Sequence, residues 1–193
     1  MKIFGEFGVA ALVSVAMVAG AQATPLSFWA ANGWTQFAND VGMAEGPGAG
    51  GQSFDAEYFY YKSNGTTLEI GLQTGFDVLS GHQMHSTKSY YAGDLALSFD
   101  GSATQGGSAT YEYGIDFGLL TRGYSGADID MGTTPTSGVD NAGLYNTVTW
   151  DNDIISSHGI SAPYALDDGT FDRALLSNNA FQDGSHFVRT VSF

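Results

Sequence analysis

The sequence predicts an all-β chain: an antiparallel β-sandwich of jelly-roll-like type with at most one or two short helices. Three observations lead there. Large apolar residues alternate with small or polar ones at period two in several separate segments. Those segments are punctuated by Gly, Asn, Asp and Ser clusters of the kind that make turns. Sustained helical periodicity is nearly absent, and the number of strand-like runs, about seven, is that of a sandwich.

Residues 1–23 are set apart from the fold. Lys2 provides a positive start, Val9–Val18 an apolar run, and Ala21-Gln22-Ala23 a small-x-small cleavage site, so the leader reads as an export signal cut after Ala23. The apolar run is short for a membrane span, and no other stretch approaches the ~18 residues one needs. Thr24–Phe193 then forms a single β-sandwich domain. Its first part, LSFWAANGWTQFAND, carries Phe28, Trp29, Trp34 and Phe37 and fits a short helix, a turn or an edge strand equally well. Gly46–Gly51 reads as a connection, since it lacks the Lys-Ser/Thr ending and the strand–helix frame of a nucleotide loop.

Asp55–Lys62, DAEYFYYK, is aromatic on both faces, as a strand covered on both sides or lying at an edge would be. Asn64-Gly65 follows and signals a hairpin, because both residues tolerate positive φ. The return strand, Thr67–Leu79, places Leu68, Ile70, Leu72, Phe76 and Val78 on one face and Glu69, Gly71, Gln73 and Asp77 on the other. Ser80–Tyr91 reads as a polar loop.

Gly93–Leu120 is the second hairpin. Leu95, Leu97 and Phe99 alternate with small residues. After the polar stretch Gly101–Ala109, so do Tyr111, Tyr113, Ile115, Phe117 and Leu119. Each of these side chains, if buried, contributes at most about 1.5–3 kcal/mol. The opposite face, with Asp100, Glu112 and Asp116, reads as solvated, and the two hairpins are expected to pack together. Thr121–Asn141 is a long irregular section, Ala142–Trp150 a strand and Ile154–Ile160 a shorter one. Asp172 is a candidate cap for a helical turn through Leu176 ended by Asn178-Asn179, and Ser185–Phe193 is a final strand.

Composition narrows the function classes. The sequence has no cysteine, which excludes disulfides and thiolate metal sites and suits a bacterial exported protein. Net charge is −14, which disfavours nucleic-acid backbones and anionic lipids. Aromatic and charged residues are each 13%, the composition of a folded rather than a disordered protein.

No Gly-x-Ser-x-Gly or His-Glu-x-x-His pattern occurs, so the residues indicate no enzyme. His82 and His85 are a weak metal pair. Three acidic clusters are candidate calcium loops, because closely spaced Asp with Gly or Asn presents hard oxygen ligands: Asp128 with Asp130, Asp151 with Asp153, and Asp167 with Asp168. None completes a twelve-residue calcium loop, and plain turn chemistry is the competing explanation. Apart from calcium, no cofactor is expected. Exposed aromatics among Trp29, Trp34, Tyr90 and Tyr91 would suit sugar stacking, whereas tryptophans in a sandwich belong first to the core.

The runs YYKSNGTTLEIGLQTGFDVLSG, GDLALSFDG, TYEYGIDFGLL, VTWDNDI and SAPYALDDGT together resemble exosortase-dependent (PEP-CTERM class) bacterial exported surface proteins, over roughly Asp55–Phe193. The sorting tail of that class, a Pro-Glu-Pro motif followed by an apolar helix and a basic cluster, is lacking in this sequence. The resemblance implies a non-catalytic protein of the cell surface or biofilm matrix of a Gram-negative bacterium, with extracellular polysaccharide or other surface proteins as partners. It carries over no catalytic residue. Two alternatives stand beside it. One is an extracellular carbohydrate-binding module, with or without calcium. The other is a small outer-membrane β-barrel, suggested by Phe187, Val191 and terminal Phe193 and by alternation around Leu68–Gln73.

Overall fold

The computed structural model describes residues 24–39, 52–85, 88–99, 111–119, 141–151, 154–155, 160–161 and 165–193. The leader, Gly46–Gly51, Gly101–Ala109 and nearly all of Thr121–Asn141 lie outside them.

Among the described residues, after a single-turn helix α1 (Ser27–Ala31) come thirteen strands: β1 (Thr35–Asn39), β2 (Ala56–Ser63), β3 (Leu68–Thr74), β4 (His82–His85), β5 (Lys88–Tyr91), β6 (Leu95–Leu97), β7 (Tyr113–Asp116), β8 (Gly143–Asp151), β9 (Ile154–Ile155), β10 (Ile160–Ser161), β11 (Ala165–Arg173), β12 (Ser177–Asp183) and β13 (His186–Ser192). One antiparallel sheet has the order β1-β2-β3-β13-β12, the other β11-β8-β7-β6, and β4-β5 and β9-β10 are separate hairpins. The polypeptide therefore begins in the first sheet, builds the second, and returns to the first for its last two strands.

Side-chain alternation decides how the sheets meet. Ile70 of β3 faces Val191 of β13, and both pack against Leu97, Ile115, Phe117 and Leu144 of the second sheet. The two hairpins expected to pack together do so through this cluster, and the all-β sandwich is what forms. Its strands run as two face-to-face sheets with a filled interior, where the barrel reading required one ring of strands. Arg189 fastens one end of the interior: its Nη1 donates to Val78 O at 2.6 Å, its Nε to Asn178 Oδ1 at 3.1 Å, and its guanidinium lies 5.2 Å from the Phe117 ring centre. Burial pushes this guanidinium below its ordinary range. Asn178 in turn donates to Phe117 O at 2.8 Å, which ties β12 to the second sheet.

Several local expectations are corrected. Asp172 caps no helix; Asp172 and Arg173 end β11, and Ser177–Asp183 is strand β12, paired residue for residue with β13. The partner strand overrides a weak local capping signal. Ser80–Tyr91 is a loop only at its start, because β4 and β5 pair from His82↔Tyr91 to His85↔Lys88. The aromatic N-terminal stretch resolves into α1 followed by β1. Asp116, expected in solvent, is wholly buried, and its Oδ1 accepts the Gly118 N–H at 2.5 Å in the turn after β7.

The outer face of the first sheet is also covered. Trp29, on α1, is 1% exposed and stacks on Tyr60 with ring centres 4.1 Å apart. Tyr58, Val188, Phe28, Trp34 and Phe181 complete this second apolar cluster. Gly71 makes the approach possible, since a Cβ there would fall 2.5 Å from Trp29 Cζ3. Trp29 is thus a core tryptophan and is closed to sugar stacking.

Candidate ligand cleft and the buried Glu57 network

Two places bring polar side chains together. The first lies under the N-terminal segment. Gln73, on the outward face of β3, is fully buried, and all four of its hydrogen-bonding positions are used. Its Oε1 accepts from Trp29 Nε1 at 2.8 Å and from Leu26 N at 2.9 Å. Its Nε2 donates to Thr24 O at 2.9 Å and to Glu57 Oε2 at 2.7 Å. Glu57, also fully buried, further accepts from Gln52 Nε2 and lies 2.8 and 2.9 Å from His186 Nδ1.

A carboxylate orienting a histidine is half of a hydrolytic relay, but no serine, threonine or cysteine completes it among the described hydrogen bonds of this cluster. What the cluster does is hold the Thr24–Trp34 segment onto the sheet. Neither Glu57 nor Gln73 stood out in the sequence. The available signal was a Glu and a Gln at alternate positions in otherwise aromatic or apolar strands.

The second place is a cleft of about 500 Å³ at one mouth of the sandwich. The β2–β3 hairpin supplies Ser63, Gly65, Thr66, Thr67 and Leu68 on one side; Phe99 and Tyr113 form the other. Leu144 and Phe193 contribute apolar surface, and Asp172 with Arg173 closes the rim at the end of β11. Phe99 is 62% exposed and meets Tyr113 edge-to-face at 5.7 Å. Its backbone N–H is held by Glu112 Oε2 at 3.2 Å. Arg173 Nε donates to Asp172 Oδ2 at 2.6 Å, so the one acidic residue lining the cleft among the described residues is already paired.

The β2–β3 turn spans four residues between the pair Ser63↔Leu68. Only Gly65 takes positive φ, at 89°; Asn64 instead uses its side group. Its Oδ1 accepts from Thr66 N at 3.2 Å, Thr66 Oγ1 at 3.1 Å and Thr67 N at 2.9 Å.

The candidate calcium residues do not converge among the described residues. Asp128, Asp130 and Asp153 lie outside them, and for Asp151 and Asp167 only the backbone, in β8 and β11, is described. Asp168 is exposed, with its Oδ1 on the Gly169 N–H at 2.7 Å, which is turn chemistry. No group of three or more acidic or histidine residues placed to hold a metal occurs among the described residues. His82 stacks on Tyr91 at 5.8 Å, and His158 is outside the described residues. Asp77 organises the turn after β3. Burial pushes its carboxyl up, but the N–H and hydroxyl of Ser80, the Leu79 N–H and the nearby His82 outweigh it and hold the group below the usual carboxylate range.

Among the described residues no helix is long and apolar enough to cross a membrane. Comparison of the sequence and fold with family models, with curated proteins and with solved structures gave no match.

Proposed function

We propose that this is an exported, non-catalytic protein of the bacterial surface or extracellular matrix, and that it engages neutral polysaccharide through the cleft between the β2–β3 turn and Phe99. The observation that carries the reading is the composition of that cleft. Exposed Phe99 beside Tyr113 offers aromatic surface to the apolar face of a sugar ring. Ser63, Thr66 and Thr67 stand opposite with hydroxyls that both donate and accept. Glycoside cleavage needs two carboxylates about 5–10 Å apart across the bond. Among the described residues this cleft is lined by a single acidic residue, Asp172, engaged by Arg173, which suits retention of a glycan rather than its hydrolysis. The overall charge of −14 favours a neutral polymer over an acidic one.

The test is a glycan array followed by calorimetry on the best neutral hit, with Phe99→Ala as the control. Saturable binding that falls at least about tenfold in the variant supports the reading, that loss being roughly 1.4 kcal/mol. An array blank for neutral glycans, or binding unchanged by Phe99→Ala, overturns it. Repeating the titration in chelator decides whether calcium takes part.

A further inference from the structure

We propose that Asn64 is a self-modifying residue, whose carboxamide is attacked by the backbone nitrogen of Gly65 and is converted through a succinimide to aspartate and isoaspartate. Four observations converge on this turn. Asn64 and Gly65 are both exposed to water. No heavy atom lies within 4 Å of where a Gly65 Cβ would stand, so the space beside its Cα is open. The Gly65 N–H donates to Ser63 Oγ at 3.3 Å, a side-chain hydroxyl at the exposed edge of the turn rather than a carbonyl of the strand ladder. Most important, the three donors on Asn64 Oδ1 draw electron density from Cγ and are in place to receive the negative charge that develops on that oxygen.

The step balances with water alone. Hydroxide removes the Gly65 amide proton, and the nitrogen lone pair forms a bond to Asn64 Cγ while the carbonyl π pair moves onto Oδ1. When the carbonyl re-forms, Nδ2 takes a proton from water and leaves as ammonia, giving the five-membered imide. Water then adds to either imide carbonyl. Opening between Cγ and the nitrogen gives aspartate, and opening of the original peptide bond gives isoaspartate. Either product adds a negative charge to the hairpin that forms one side of the cleft. Isoaspartate also lengthens the backbone of the turn that carries Thr66 and Thr67.

The protein contains its own control, because Asn32-Gly33 is the same dipeptide in a different setting. There Asn32 donates from Nδ2 to Phe28 O at 2.8 Å, and the Gly33 N–H is bound to Ala30 O at 3.3 Å. Both glycine N–H groups are bonded at 3.3 Å, so the two sites differ in the asparagine amide, which at Asn32 is turned back onto α1 as a donor.

The experiment ages the purified full-length protein at mildly alkaline pH and quantifies both sites by peptide mapping, reading the mass gain of –NH2 replaced by –OH and the isoaspartate content. Asn64 is expected to convert roughly tenfold or more faster than Asn32, a gap of the size that oriented donors on the reacting carbonyl confer. The gap should close when the same peptides are aged after proteolysis. Thr66→Val, which removes one of the three donors and leaves the backbone intact, should slow Asn64 and leave Asn32 unchanged. Equal rates at the two sites in the folded protein, faster conversion at Asn32, or a Thr66→Val variant that ages like the parent would each overturn the proposal.

Discussion

Replacing Gln73 by methionine removes the amide that joins the N-terminal segment to the sheet while keeping the length of the residue. Trp29 Nε1 is left stranded at about 1–3 kcal/mol, and Glu57 Oε2 loses a charge-assisted bond worth about 1.5–3 kcal/mol while keeping His186 Nδ1 at 2.9 Å. Thr24 O and Leu26 N are only partly buried and turn to water, so they add about 0.5–1 kcal/mol each. The apolar thioether recovers part of this through burial, and the net loss expected is about 3–5 kcal/mol, a large fraction of the roughly 5–15 kcal/mol that holds a domain together. In urea, with a slope of about 1–3 kcal/mol per molar, the midpoint should fall by about 2 M. Trp29 emission should shift to the red at lower urea than the far-ultraviolet signal changes, because the segment leaves the sheet first. A cycle with Trp29→Phe, which keeps a ring and removes the N–H, isolates the bond. In the Gln73→Met background that second change should cost at least about 1 kcal/mol less than in the parent. Strict additivity, or a Gln73→Met variant within about 1 kcal/mol of the parent, would refute the clamp.

Three further outcomes follow from other groups. Tyr60 Oη is buried with no hydrogen-bond partner among the described residues, so Tyr60→Phe should raise stability by about 0.5–1 kcal/mol at neutral pH, read by thermal melting. Burial first, then Tyr58 and Glu57, push the Tyr60 phenol up to about 12. The folded state therefore holds its proton longer than the unfolded state does, so the parent's stability should be intact below pH 10 and lost as pH rises toward 12, with a shallower loss in Tyr60→Phe. Asp77 has the opposite sign: held low when folded, its carboxylate supports the Val78–Gly81 turn above the ordinary carboxylate range, and amide protection there, relative to the intrinsic exchange rate, should fall as pH falls through its lowered value, an effect Asp77→Asn abolishes. Thr147 sits at φ 52° in β8, where a β-branched residue is strained. Thr147→Asn should stabilise by about 0.5–1 kcal/mol in a urea titration, and a loss would show that the Thr147 hydroxyl bond to Asn146 outweighs the strain.

What was legible in the sequence follows from what periodicity reports. Leu68, Ile70 and Leu72 on one strand, and Leu95, Leu97 and Ile115 on the other hairpin, name the faces that meet, because a sheet with one dry face must place its apolar residues every second position. The β12 strand, SNNAFQD, was not legible: it is an edge strand with one neighbour, and its burial is too slight to impose alternation. Nor were β4 and β5 legible, since they form a hairpin outside both main sheets. The cleft was hidden for another reason. Its residues come from the β2–β3 turn, the segment just after β6, the start of β7, β8, the end of β11 and the C-terminus, so only the fold makes them neighbours.

Gln73 and Glu57 show where the pattern misleads in principle. Polar residues alternating with apolar ones signal a wet face only if nothing covers that face, and coverage is not a property of the strand that carries them. Here the cover is α1 and its flanks, a segment some forty residues earlier in the sequence, docked through Trp29 over Gly71. Once the face is dry, a neutral carboxamide with two donors and two acceptor sites, here that of glutamine, can meet an indole N–H, a backbone N–H, a carbonyl and a carboxylate together. Its position in the sequence looks like surface, and its energetic role is that of core. A buried polar group satisfied in every direction also fixes one register of the covering segment, since any slip along the sheet would part Thr24 O, Leu26 N and Trp29 Nε1 from Gln73.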